Sequence, residues 1–124
     1  MKYRLVQKTN PRDVAAAKKF YANKVTRGKP SLRDLSNDIA DMSTVSVVDV
    51  MAVIESMLHL IPKYVMAGDI VDLGDFGSFN LRVTSEGAET EDDFDKSMIK
   101  GVKLSFRPGQ EFSNALKSIQ FEKE

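Results

Sequence analysis

The sequence predicts an α+β fold: a helical pair, then a three-stranded antiparallel sheet with a β-arm and a C-terminal helix, with an extra N-terminal strand and helix in front. Three observations carry this expectation. Val47, Val50, Met51, Ile54, Met57, Leu58, Ile61 and Tyr64 recur at i, i+3, i+4, i+7, the period of an amphipathic helix. Residues 69–83 and 100–106 instead alternate in the period-2 manner of strands. Glycines at 68, 74, 77 and 109 punctuate the joins.

In chain order, Met1–Lys8 alternates, with Met1, Tyr3 and Leu5 on one face, and is expected to form a short edge strand. Asn10-Pro11 offers an N-cap followed by proline at the first helical position. With Val14, Ala17, Tyr21 and Val25 at helical spacing, a helix of about three turns is expected before Gly28. Ser31 with Asp34 has capping-box spacing and opens a short helix striped by Leu32, Leu35 and Ile39. Ser46 with Asp49 repeats the device and opens the long helix, which runs through Pro62 to a stop at Gly68. Its apolar stripe is wide for so small a chain, which predicts that a partner chain covers part of it. Val102, Leu104 and Phe106 mark a third strand antiparallel to the second, and Pro108-Gly109 turns into a terminal helix carrying Phe112, Ala115, Leu116 and Ile119 inward. The segment Ser85–Ile99 is polar, holds six acids and one lysine, and reads as a loop or protruding arm.

The stretch VDLGDFGSFNLR, residues 71–82, contains a glycine pair that invites three chemical readings. A phosphate-cradling loop opens a helix and offers a lysine or free backbone donors; here a strand follows and the loop carries Asp75. A Gly-x-x-Gly clamp for nucleic acid lies between helices and is poorly served by an acidic-apolar pair. A kinase-type Asp-Phe-Gly needs a far longer chain with its other motifs. The remaining role is structural: glycines that permit positive φ at a sharp corner, with Phe76 and Phe79 turned into the core.

Composition sets the outer limits. At 124 residues the chain is one domain's worth. It has no cysteine and one histidine, which argues against disulfides, thiolate chemistry and multi-histidine metal sites. No nucleophile–base pair or metal constellation is present, so no enzyme activity, cofactor or small-molecule substrate is expected. Asp92-Asp93 lacks the ligand register of a calcium loop and reads as solvated. Neither a secretory segment nor a membrane span is indicated, and a cytoplasmic location is expected. The net charge of zero is strongly patterned: the balance is +9 over residues 1–33, −12 over 34–95 and +3 over 96–124. That asymmetry suits a basic surface for a polyanion, and equally suits attraction between the ends and the middle of the fold or a second subunit.

Residues 31–118 resemble the HU/IHF family of bacterial histone-like DNA-binding proteins. The resemblance rests on the helix pair ending in Ala67-Gly68-Asp69, the corner Leu73-Gly74-Asp75-Phe76-Gly77-Ser78-Phe79, and Phe106-Arg107-Pro108-Gly109. Residues 1–30 lie outside the common core and form an N-terminal extension expected to pack on it, as in the extended HU-like relatives of the Bacteroides type; residues 31–124 form the HU-like domain with its arm at about 84–99. The resemblance implies an intertwined homodimer, a nucleoid location and largely sequence-independent, architectural, non-enzymatic binding of double-stranded DNA. The family's arm is arginine-rich and wedges a proline between base pairs. Here the arm has neither proline nor arginine, and of the ladder leading into it only Arg82 is retained, with Thr84 and Gly87 where further arginines are expected. DNA contact is therefore expected to shift to Arg82, Lys100, Lys103, Arg107 and Lys117, or to the basic N-terminal segment. The alternative is an HU-fold dimer that has lost DNA bending and serves as a protein-interaction module.

Overall fold

The computed structural model describes residues 1–124. Two strands, β1 (Lys2–Lys8) and β2 (Lys19–Lys24), precede helices α1 (Leu32–Asp41) and α2 (Val47–Met66). Strand β3 (Val71–Asp72), a 3₁₀ turn at Gly74–Phe76, β4 (Gly77–Ser85), β5 (Ile99–Pro108), α3 (Gln110–Lys117) and a final short strand, β6 (Glu122–Lys123), complete the chain. Two three-stranded sheets result, ordered β2-β1-β6 and β3-β4-β5.

The helical pair starts where the serines place it. Ser31 accepts from the Asp34 amide while Asp34 accepts from the Ser31 amide at 2.8 Å, a complete capping box. These hydrogen bonds from Ser31 hold the Asp34 carboxyl below its ordinary value. Ser46 caps α2 through the Asp49 amide at 3.2 Å. Between the helices Ser36 is fully buried and its hydroxyl donates to Leu32 O at 2.8 Å, so a small polar residue permits close approach without leaving an unsatisfied group.

The N-terminal extension differs from expectation. No helix forms over residues 10–25. Asn10 instead closes a turn: its Oδ1 accepts from the Arg12 amide at 3.0 Å and its carbonyl from the Asp13 amide at 3.2 Å. Asparagine followed by proline supports a turn as readily as a cap. The chain then returns as β2, which pairs antiparallel with β1 from Tyr3–Lys24 to Lys8–Lys19. A strand cannot stand alone, and the aromatic-rich KFYANK segment satisfies its ladder. β1 is central rather than an edge, because β6 joins its other side in parallel, Lys2 opposite Glu122 and Tyr3 opposite Lys123. The Met1 ammonium donates to Gln120 O at 2.7 Å, which ties the two ends of the chain together.

The second sheet is organised by the glycine corner. Gly77 has φ +144°, and a Cβ there would lie 2.5 Å from Arg107 O and 2.6 Å from Phe106 Cζ. The Gly109 amide donates to Phe76 O at 3.1 Å, locking the start of α3 to the corner. Around it the Phe76 ring lies 5.1 Å from Phe112 and the Phe79 ring 5.0 Å from Phe106, an aromatic cluster that fastens α3 to the sheet.

Very little is buried in one chain: Ser36, Val50, Val65 and Gly77 alone. The accessible surface is 10806 Å², about 1.6 times the roughly 6,600 Å² expected of a compact monomer of this mass. Many of the exposed side chains are large and apolar. A groove of about 460 Å³ runs between α2 and the sheet, bordered by Met57, Leu58, Ile61, Phe79, Leu81 and Leu104. Val83, Val102 and Leu104 are 64%, 60% and 64% exposed on the same face of the sheet.

Gly77→Ala should lower stability by about 2–5 kcal/mol, combining left-handed backbone strain with overpacking against Arg107 and Phe106; urea unfolding measures it. Asp34→Asn should cost stability at neutral pH. Because the folded carboxyl is depressed, its contribution is present above the unfolded value near 3.8 and lost as pH falls through the folded one. The melting temperatures of the two proteins should converge on acidification below about pH 4.

Candidate nucleic-acid interface

The β4–β5 register sorts the side chains of this ribbon into two faces. Phe79–Phe106, Leu81–Leu104 and Val83–Val102 oppose one another, and residues between them point to the other side. That other face carries Ser78–Arg107, Asn80–Ser105, Arg82–Lys103 and Thr84–Gly101. Neither strand contributes a carboxylate. The nearest acid in the sheet is Asp72 of β3, opposite Ser78, and its Oδ1 is occupied by the Gly74 amide at 2.8 Å.

Arg82 and Lys103 are directly opposed like charges, an arrangement that destabilises a sheet. Their side chains, with that of Arg107, have no ion-pair partner, since the chain forms a single salt bridge elsewhere. Three unpaired cations, interleaved with Asn80, Ser105 and Thr84, present charge and short hydrogen-bonding groups on one face of the ribbon. This is chemistry suited to phosphate oxygens.

The five residues singled out from the sequence do not all meet. Arg82, Lys103 and Arg107 share the polar face. Lys100 lies at the irregularity of the ladder, where Thr84 pairs with Gly101 but Ser85 pairs with Ile99, leaving Lys100 unmatched. Its ammonium is held by Glu86 Oε1 at 3.3 Å. Lys117 lies in the last turn of α3, outside the sheet, where a cation complements the helix dipole. Asn80 and Ser105 escaped the sequence reading, although period-2 alternation about Arg82 and Lys103 already placed each on its neighbour's face.

Residues 86–98 connect the ribbon strands through turns and a 3₁₀ turn at Lys96–Met98, with the Glu86 amide donating to Met98 O at 2.8 Å. Hydrogen bonds from Ser97 hold the Asp95 carboxyl below its ordinary value. No cluster of histidine, cysteine and acidic residues is arranged to hold a metal. No helix is long and apolar enough to cross a membrane.

A family model described as an HU domain fused to wHTH, Ig, or glycine-rich motif matches residues 1–123. The chain belongs to this HU-HIG family. Among solved structures, the HU-HIG chain is similar to a protein from Bacteroides vulgatus, provisionally described as a bacterial DNA-binding protein. The TM-score is 0.63 at 18% identity over 98% of this chain and 47% of that one, so the chain spans about half that protein's length. It is also similar to Anabaena HU in a cocrystal structure with DNA, at TM-score 0.52 and 25% identity, over 69% of this chain and 96% of that one. No curated protein matches the sequence. The HU-like architecture expected from the glycine corner is thereby borne out.

Lys103→Glu turns the opposed like charges into an opposite pair and should raise stability by about 0.2–1 kcal/mol, read from the urea midpoint. An unchanged or lowered midpoint would mean that Arg82 and Lys103 do not sense one another.

Proposed function

We propose that the protein is a non-enzymatic, largely sequence-independent DNA-binding architectural protein that acts as a homodimer and resides on the nucleoid. The observation that carries this reading is the polar face of the β4–β5 ribbon, with Arg82, Lys103 and Arg107 unpaired and no carboxylate on either strand. The Anabaena HU–DNA cocrystal structure supports it through the shared fold. Sequence-independence follows from the chemistry on offer: backbone-directed charge and short polar side chains on a ribbon fix position and carry no base readout of their own.

The homodimer reading is supported by the apolar groove along α2 and by the surface excess. A second copy laid on that groove places the apolar faces of two sheets and two α2 helices against one another and leaves the cationic faces outward. Lys100, engaged by Glu86, and Lys117, on α3, contribute secondarily. The acidic segment 86–95 repels phosphate and lacks the proline wedge, so DNA is held on the ribbon faces with little bending by arm insertion.

Sedimentation at micromolar concentration should give a species of twice 13.8 kDa; a stable folded monomer overturns the dimer. Duplex affinity should be roughly micromolar and fall steeply with salt. Arg82→Gln/Lys103→Gln/Arg107→Gln should flatten the log–log salt slope by about 0.9 for each phosphate that is no longer neutralised. Neutralising Glu89, Glu91, Asp92 and Asp93 together should tighten binding. Failure of the wild-type dimer to shift duplex DNA at low salt refutes the reading and makes the acidic segment the candidate surface for a protein partner.

A further inference from the structure

The N-terminal sheet sorts its residues as sharply as the ribbon does. Across the β1–β2 register, Tyr3, Leu5, Gln7, Phe20, Ala22 and Lys24 fall on one face, and Arg4, Val6, Lys8, Lys19, Tyr21 and Asn23 on the other. On this second face Lys8 and Lys19 are directly opposed. The Lys8 ammonium lies 5.8 Å from the centre of the Tyr21 ring. Neither strand contains a carboxylate, and the basic residues here form no salt bridge. Glu122 of β6 faces Lys2, and the Glu124 amide donates to Tyr3 O at 2.9 Å, which brings Glu124 alongside Arg4 without an ion pair and leaves Lys8 and Lys19 with no acidic neighbour in the sheet.

Resting on the DNA-binding reading above, we propose that the Arg4–Lys8–Lys19 face is a second contact surface for duplex DNA, which engages backbone phosphates separately from the β4–β5 ribbon. Two observations carry it. The first is the opposed Lys8–Lys19 pair: like charges across a ladder cost stability, and a bound anion relieves that cost. Arg82–Lys103 is the same arrangement on the other sheet. The second is the partition of the hairpin, which gathers Arg4, Lys8 and Lys19 on one side with the Tyr21 hydroxyl and Asn23 amide as added hydrogen-bond donors, against the single cation Lys24 on the side of Leu5 and Phe20. Arg4 reads phosphate bidentately, and the two lysines act as point charges.

The test uses the full chain and random-sequence duplex DNA titrated at graded salt. Arg4→Gln/Lys8→Gln/Lys19→Gln should flatten the log–log salt slope by about 2.7, at 0.9 for each of three phosphates released, while the dimer persists and its melting temperature is kept or raised. Lys19→Glu should raise the melting temperature by roughly 1–4 °C, by creating an opposite-charge pair with Lys8, and at the same time weaken duplex binding. A folded triple variant with the wild-type slope overturns this proposal and leaves the ribbon reading standing; wild-type protein that fails to bind duplex overturns both. A triple variant that loses the dimer but keeps the slope assigns the face to an acidic surface of a second copy and likewise overturns the proposal. Single-stranded DNA of equal length is titrated in parallel: weaker binding than duplex is expected, and tighter binding that Tyr21→Ala abolishes overturns the duplex assignment.

Discussion

The pairing of β4 with β5 is the interaction on which the rest of this molecule depends. Nine registered pairs from Gly77–Pro108 to Ser85–Ile99 set which side chains face α2 and which face away. A slip of one residue would send Arg82 and Lys103 toward the groove and Leu81 and Leu104 toward water. Gly77 pins the register at the closed end, because only a residue without Cβ fits between Arg107 O and the Phe106 ring. At the open end the irregularity at Lys100 releases it, and the chain departs into the acidic segment.

The same register explains why one chain looks unfinished. Its apolar face continues past the aromatic cluster into Val83, Val102 and Leu104, which nothing in the chain covers. At about 25 cal/mol per Å² of apolar surface, several hundred uncovered square ångströms correspond to roughly 10 kcal/mol or more of unrealised stabilisation, comparable to the whole stability of a domain. In the proposed homodimer a second copy covers this face and leaves the cationic faces accessible. Two sheets each carry an opposed like-charge pair and no carboxylate on the strands concerned, an instability that the proposed binding of DNA phosphates would relieve.

Much of this was legible in the sequence, and for local reasons. Ser31-x-x-Asp34 and Ser46-x-x-Asp49 announced both helix starts because a cap is decided within four residues. The Leu73–Phe79 corner was readable because glycine spacing and positive φ are backbone properties, whereas Arg82, Lys103 and Arg107 were named, together with Lys100 and Lys117, from the family resemblance. Residues 10–25 failed for the converse reason. Their helical spacing was real, but Asn10 made a turn and Lys19–Lys24 gained more from the ladder of β1 than from a short helix with little to pack on.

The sequence by itself determined the caps of α1 and α2, the period of those helices and of the β4–β5 ribbon, the glycine corner and the segregation of basic ends from an acidic middle, since each is settled by near neighbours along the chain. Tertiary structure alone decided that β6 closes onto β1, that Glu86 captures Lys100, that Lys117 stands apart from the ribbon, and that Lys8 meets Lys19 as Arg82 meets Lys103. These are pairings between residues 11 to more than 100 positions apart, and their partners are chosen by ladder register and loop geometry, to which no local periodicity is sensitive.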